Sequence, residues 1–437
     1  MATTRSPEVP EQAVCALPEA GRSALAGGRI PVQRTAGAAR LRLARRRWVQ
    51  VAGCLVAAGW AAAFPLVSDL PNQVFWGSVA APAYALAALL CLTVPGRRGA
   101  RAAAAVAVLG AVLVPLVLLV LTGRHQSEVM VVERSARLLL ETGSPYLPHP
   151  AVVTDYDPYL PAMALFGLPR ALLGTGNPVA VLLGDARIWF AVTFLVCLLA
   201  CRRLLRPRQD GAALLPLVTL TASPLIALAL AVGGVDLPLI GVCCLAMALA
   251  ARGRAVPAGL VLALACTLKW TAWPALPVAA LLLWRLYGRR PAARATLTAL
   301  GAGAAVVLPY LLTVPRVLQE QVVRFPLGLT GIRTPAGSPL PGKILAGFGP
   351  TGHTISLSML CLGAFGVAVW LVAYPPTSAV HACDVLAVGL TVAFTLAPAG
   401  RFGYLALPAV LMVWPRLAAV PRRRPDRLTT ILTGVQL

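Results

Sequence analysis

A few residues stand where their type and spacing could do chemistry. Glu128 opens a segment in which Val129, Val132, Ala136, Leu139 and Leu140 recur at helical spacing. Lys269 stands alone in LKWTAWP between two apolar runs, with Trp270 beside it, and Arg401 lies between Gly400 and Gly403 in PAGRFGY. A carboxylate such as Glu128 can take a proton, or can cap its helix, where a negative charge is worth about 0.3 to 1 kcal/mol. A lysine between apolar runs is costly unless it snorkels or meets an anion, and the same holds for Arg401 unless it marks an interface. Asp236 follows Gly233 and Gly234, where an N-cap role accounts for it and substrate contact is the competing reading. Asp155, Tyr156 and Asp157 fall in DYDPYLP, where an Asp caps its own turn or meets a ligand. Glu133, Arg134, Arg137 and Glu141 read as a solvated helix face with pairs one turn apart. His125, His149 and His353 have no ligand spacing, so no metal site is expected.

The elements that must position these residues follow from composition. Hydrophobic residues make up 58% of the 437-residue chain and charged residues 12%, against about a quarter charged in a soluble domain. The apolar residues gather in runs near 50–67, 75–94, 102–122, 188–201, 212–232, 237–251, 256–268, 271–284, 295–313, 356–374, 383–398 and 402–415. This is the length scale of membrane crossings. The pattern predicts an all-α, polytopic transmembrane bundle of about 10 to 12 helices, with Pro216 and Pro224 kinking the 212–232 helix. Residues 1–47 are expected to be a disordered, Arg-rich cytoplasmic tail, 48–418 the membrane domain, and 419–437 a second cytoplasmic tail.

Arginine clusters at 97–101, 202–208, 252–254, 285–294 and 416–427 all fall on one side in this topology, as the positive-inside rule requires of the cytoplasm. The net charge of +23 is therefore loop charge and not a nucleic-acid footprint. Most of the ten cysteines sit inside apolar runs, as small core residues do. Only Lys269 and Lys343 are lysines among the 38 basic residues, a bias of GC-rich bacterial genomes. Of 15 acids, Asp69, Glu128, Glu133, Glu141, Asp155, Asp157, Asp185, Asp236 and Glu320 fall outside. Topology rules say little about acids, so an outer-face site is the economical cause.

Two long outer segments carry that site. In 123–187, an amphipathic helix along the membrane surface is expected from Glu128 to Leu140, ended by Gly143 with Pro145 following. The second, 314–355, brings Arg324, Arg333, Lys343 and His353 to the same face. Tyr146, Tyr156, Tyr159, Trp270, Phe325 and Tyr404 are interspersed with the charges.

In order, the acid after a helix, ARLLLETGSPY, YDPYLP, GGVDLP and LKWTAWP resemble the GT-C fold glycosyltransferases that use polyprenol-phosphate sugars. Within them the resemblance is to family 87, a bacterial mannosyltransferase-like group, and spans residues 110–415. The family pattern of an Asp, seven residues, then A-R-x-L-L places Glu128 where the Asp belongs, keeping the carboxylate but lengthening its reach. The resemblance implies Glu128 as the base of an inverting transfer, with Lys269, Arg324 and Arg401 on the lipid phosphate. Tyr156 or Trp270 would stack on a sugar, and Asp155, Asp157 and Asp236 would contact substrate. No cofactor is implied. The implied partners are a polyprenyl-phosphate-linked sugar, a glycan or glycolipid acceptor, and membrane lipid, at the bacterial cytoplasmic membrane with both termini cytoplasmic. Two other readings stand beside this one. A secondary transporter would place its ion site near the bilayer midplane and often shows internal repeats, neither of which is evident here. A noncatalytic member of the fold that binds lipid-linked sugar is the other.

Overall fold

The computed structural model describes residues 32–206, 214–332 and 334–419, with side chains from residue 47. The C-terminal tail from 420 and Arg333 lie outside the described residues, as do 1–31 of the expected N-terminal tail. Over 32–47 the backbone is helical and continuous with the first apolar run, in a stretch rich in Ala, Leu and Arg, all good helix formers. Residues 32–49 contribute only this start of a helix, and the packed bundle is the unit from Gln50 onward.

Each of the twelve apolar runs forms helix over most of its described residues. In chain order the main helices are α1 (Val32–Val67), α2 (Pro71–Thr93), α3 (Gly96–Leu121), the amphipathic α4 (Ser127–Thr142) and α5 (Ala186–Leu205). Next come α6 (Leu215–Thr221), α7 (Pro224–Val232), α8 (Leu237–Ala251), α9 (Ala255–Leu268) and α10 (Ala275–Tyr287). The last four are α11 (Arg289–Thr313), α12 (Pro350–Ala373), α13 (Ala379–Leu396) and α14 (Ala406–Ala419). Among the described residues, eight helical stretches are long and apolar enough to cross a membrane. The bent pair α6–α7 makes a ninth, and α8 and α9 are shorter apolar helices. The protein is a multi-pass, all-α membrane protein.

At the centre lies α8, in which all residues but Leu245 and Ala251 are buried. A helix apolar on every side must be covered on every side, and α5, α9, α10, α13 and α14 pack around it. Small residues permit the close approaches: a side chain at Gly241 would meet Phe194 and Cys197 of α5. In contrast α11 and α12 leave most of their apolar surface uncovered, as lipid-facing helices do.

Prolines act where the lost N–H can be absorbed. Between α6 and α7 the chain bends by 67° at Ser223, whose extended backbone is what a following proline imposes. Pro216, expected to kink the same span, instead sits in the first turn of α6, where its missing N–H costs nothing. In α3, Pro115 cannot donate to the Ala111 carbonyl one turn back, and the helix widens into a π-turn over Leu109–Leu113. The orphaned Ala111 oxygen accepts the indole N–H of the fully buried Trp76 at 2.8 Å.

One buried ion pair organises the end of the bundle where α3, α5 and α7 meet. Arg187, 1% exposed, makes two 2.8 Å bonds to Asp185 and donates from Nη1 to the carbonyls of Arg124 (2.9 Å) and Ala231 (3.1 Å). Asp185 also caps α5 by accepting from the Arg187 backbone N–H. Arg187→Met, which leaves the buried Asp185 carboxylate only the longer 3.7 Å pairing with Arg170, is expected to cost about 3 kcal/mol. Asp185→Asn/Arg187→Met, which keeps the cap and removes both charges, should recover much of that loss. Thermal unfolding in detergent checks this, and a single variant as stable as the parent would remove the pair from its structural role.

Candidate active site

The charged residues are placed by helix ends and by the short links between them. Glu128 lies in the first turn of α4, and Gln126, immediately before the helix, is extended. The Gln126 N–H donates to the Val232 carbonyl at 3.0 Å, tying the start of α4 to the end of α7. The chain then turns through Gly233 and Gly234. Gly234 has φ +71°, a left-handed conformation that glycine alone adopts cheaply. Asp236 follows directly before α8, and Lys269 directly after α9. The Leu160 N–H donates to the Leu268 carbonyl at 3.0 Å, laying the YDPYLP segment on the end of α9. Arg401, between α13 and α14, is held by the second long segment through a parallel bridge, Gly337 to Gly400. There Gly400 donates to Ala336 (3.1 Å) and Ser338 to Gly400 (3.0 Å).

These links bring four charges together. Arg401 Nη1 donates to Glu128 Oε2 at 2.9 Å, and Lys269 Nζ to Asp236 Oδ1 at 2.7 Å. The Lys269 ammonium also lies 4.7 Å from the centre of the Tyr404 ring and 5.7 Å from that of Tyr159, an aromatic enclosure that suits a cation. Burial pushes the Glu128 carboxyl above its ordinary range, Arg401 opposes this, nearby Asp236 adds to it and Lys269 opposes it. Burial pulls Lys269 down, but Asp236, Tyr404 and Glu128 together more than offset it, so the lysine stays charged. The site thus holds two cations and two carboxylates in partial enclosure, able to bind an anion and to accept a proton.

Several roles expected from the sequence are corrected. Asp236 makes no cap bond, because its carboxylate takes the stronger charge-assisted bond to Lys269. Glu128 does stand in the first turn of α4, where its charge favours the helix, although it accepts no bond from any described backbone N–H. Asp155 accepts from the backbone N–H groups of Ala151 and Val152 and lies 3.6 Å from Arg134, so it closes its own turn away from the four charges. Tyr156 is stacked on Phe325, centroids 4.4 Å apart, and is 5% exposed, which leaves no open ring face for a sugar. Trp270 packs on the small cluster of Tyr146, Leu160, Leu318 and Val322. Arg324 is exposed and, among the described residues, donates to the Leu329 carbonyl at 3.4 Å. The helix face expected to be solvated is divided. Arg137 and Glu141 are exposed, whereas Glu133 pairs with Arg170 (3.2 Å) and accepts from Ala186 N–H (3.1 Å). Arg134 binds the carbonyls of Thr154 and Asp155. Of the expected apolar stripe, Leu140 is exposed, and Val131 and Ser135 are buried instead. Gly143, φ +75°, ends the helix as expected.

Sequence reading missed Arg187, although an arginine at the start of an apolar run carries the same signal that singled out Lys269. It also missed Gln126 and Gln321. The latter, fully buried, accepts from Asp157 N–H (2.9 Å) and donates to the Leu147 carbonyl (2.6 Å).

Asp157 is 4% exposed, and burial pushes its carboxyl from 3.8 up to about 7. The geometry agrees. Ser135 Oγ lies 2.8 Å from the Val131 carbonyl and 2.6 Å from Asp157 Oδ2, and one hydroxyl proton cannot serve both. A protonated Asp157 donating to Ser135, which donates onward to Val131, satisfies every atom. Because the folded value is raised, this stabilisation is complete below pH 3.8 and is lost as pH rises through about 7. The unfolding temperature should therefore fall between pH 5 and pH 8 more steeply in wild type than in Asp157→Asn. Equal slopes would show that Asp157 is not the titrating group.

The glycosyltransferase family 87 model matches residues 158–398, which include Asp236 and Lys269, end just before Arg401 and begin after Glu128. No curated protein and no solved structure matches the chain. The match covers more than half of a multi-pass helical chain, and the protein belongs to glycosyltransferase family 87.

Proposed function

We propose that this membrane glycosyltransferase moves a hexose, mannose, from a polyprenyl-phosphate donor to an envelope glycan or glycolipid on the outer face of the bacterial cytoplasmic membrane, with inversion. The observation that carries the reading is the convergence of Glu128, Asp236, Lys269 and Arg401 at one set of helix ends. A sugar phosphate already has a stable leaving group. It needs cations on the departing oxygen and a base on the attacking hydroxyl. The acceptor oxygen bonds to the anomeric carbon while its proton passes to Glu128. The bond from that carbon to the phosphate oxygen breaks, its electron pair staying on the lipid phosphate, which Lys269 and Arg401 hold. Arg401 has two claims on it: when the phosphate takes it, Glu128 loses its partner and binds a proton more readily, as a base should at that moment.

The test is sugar transfer and release from a radiolabelled polyprenyl-phosphate-mannose by purified protein in lipid. Glu128→Gln should lower kcat by about 100-fold or more while melting normally. Glu141→Gln, on the exposed face of the same helix, should match wild type. The acid limb of the kcat/KM profile should lie above the ordinary carboxylate range, since burial raises Glu128, and Arg401→Gln should move it further up. A wild-type protein that turns over neither this donor nor other lipid-phosphate sugars would sink the reading.

A further inference from the structure

One part of the site is left unused by that chemistry. Arg401 engages only Oε2 of Glu128; among the described residues Oε1 has no hydrogen-bond partner, and neither atom of the Gln126 carboxamide has one. Both side chains converge on Gly233. A Cβ there would stand 2.9 Å from Glu128 Oε1 and 3.1 Å from Gln126 Oε1, so the two oxygens approach the Gly233 backbone more closely than a side chain there would allow. Gln126 is held in place from its backbone, by its N–H on Val232. The Gly233 backbone has φ −168° and ψ −81°.

We infer that Gln126, Glu128 and Gly233 form the acceptor subsite, and that it takes a vicinal diol of a sugar. One hydroxyl meets Glu128 Oε1 and is the nucleophile. Its neighbour on the adjacent carbon meets the Gln126 carboxamide, which offers both a donor and an acceptor and so matches a hydroxyl in either sense. The absence of a side chain at Gly233 lets both oxygens take up these positions. A lone carboxylate would deprotonate any alcohol brought to it. Gln126 is what selects a polyhydroxylated acceptor over a simple alcohol and fixes which hydroxyl reacts. The inference rests on Glu128 as the base.

The experiment compares wild type, Gln126→Ala, Gln126→Asn and Gly233→Ala in lipid nanodiscs, with polyprenyl-phosphate-mannose as donor and either octyl α-mannoside or octanol as acceptor. Binding of octyl α-mannoside alone is measured in parallel by calorimetry. Gln126→Ala should raise the KM for octyl α-mannoside about 3- to 10-fold, the worth of one neutral hydrogen bond, with the donor KM within about twofold. The preference over octanol should fall by the same factor, and Gln126→Asn should restore part of it. Gly233→Ala should weaken octyl α-mannoside binding at least as much. An acceptor KM and affinity unchanged in Gln126→Ala, or no binding of octyl α-mannoside by wild type, overturns the subsite. Binding that depends on Gln126 in a protein that consumes no lipid-phosphate sugar supports the subsite and overturns only the donor assignment.

Discussion

Charges drawn out of water beside an apolar bundle must be paired, and the end of this molecule that carries the candidate site is arranged around that constraint. Two groups of paired charges meet it in different ways. Asp185 and Arg187 are buried almost completely and satisfied on all sides, with Arg170 and Glu133 continuing the network toward the surface. Glu128, Arg401, Asp236 and Lys269 are paired one to one, and their side chains stay between 10% and 31% exposed. The first group is locked, while the second can exchange partners.

The locked pair supports the other. Arg187 holds the carbonyls of Arg124 and Ala231, which flank the two segments joined by the bond from Gln126 to Val232. That bond sets the start of α4, and with it the position of Glu128 beside the Gly233–Gly234 turn. The site is therefore built on backbone that buried arginine chemistry has fixed, at the ends of helices whose central partner, α8, is buried on every face. Helix breaks lie there too: the glycine turn before α8 and the bridged loop at Gly400 both supply irregular backbone where protein contacts can satisfy it.

At rest each cation of the candidate site answers a carboxylate, so the four charges sum to zero. On the proposed function this keeps the site stable without ligand and makes the base available when an anion competes for Arg401. Lys269 differs from Arg401 in being enclosed by Tyr404 and Tyr159, so its position is set by aromatic contacts as well as by Asp236. The more exposed Arg401 is the partner with room to change.

Composition and period alone determined that the chain is an all-α membrane bundle. Apolar runs of spanning length leave no other way to satisfy the backbone in lipid. Glu128, Lys269, Arg401 and Asp236 were also legible, because an isolated charge next to apolar sequence is expensive and needs a reason. Which charge answers which was not legible: Glu128 and Arg401 are 273 positions apart, and no local spacing encodes their meeting. Tertiary structure alone decided that Asp236 pairs instead of capping, that Tyr156 and Trp270 are spent on packing, and that Arg187 holds the site from beneath. It also decided the use of Gly233. The sequence shows a glycine there, but the approach of the Glu128 and Gln126 oxygens to its backbone exists only once the chain is folded.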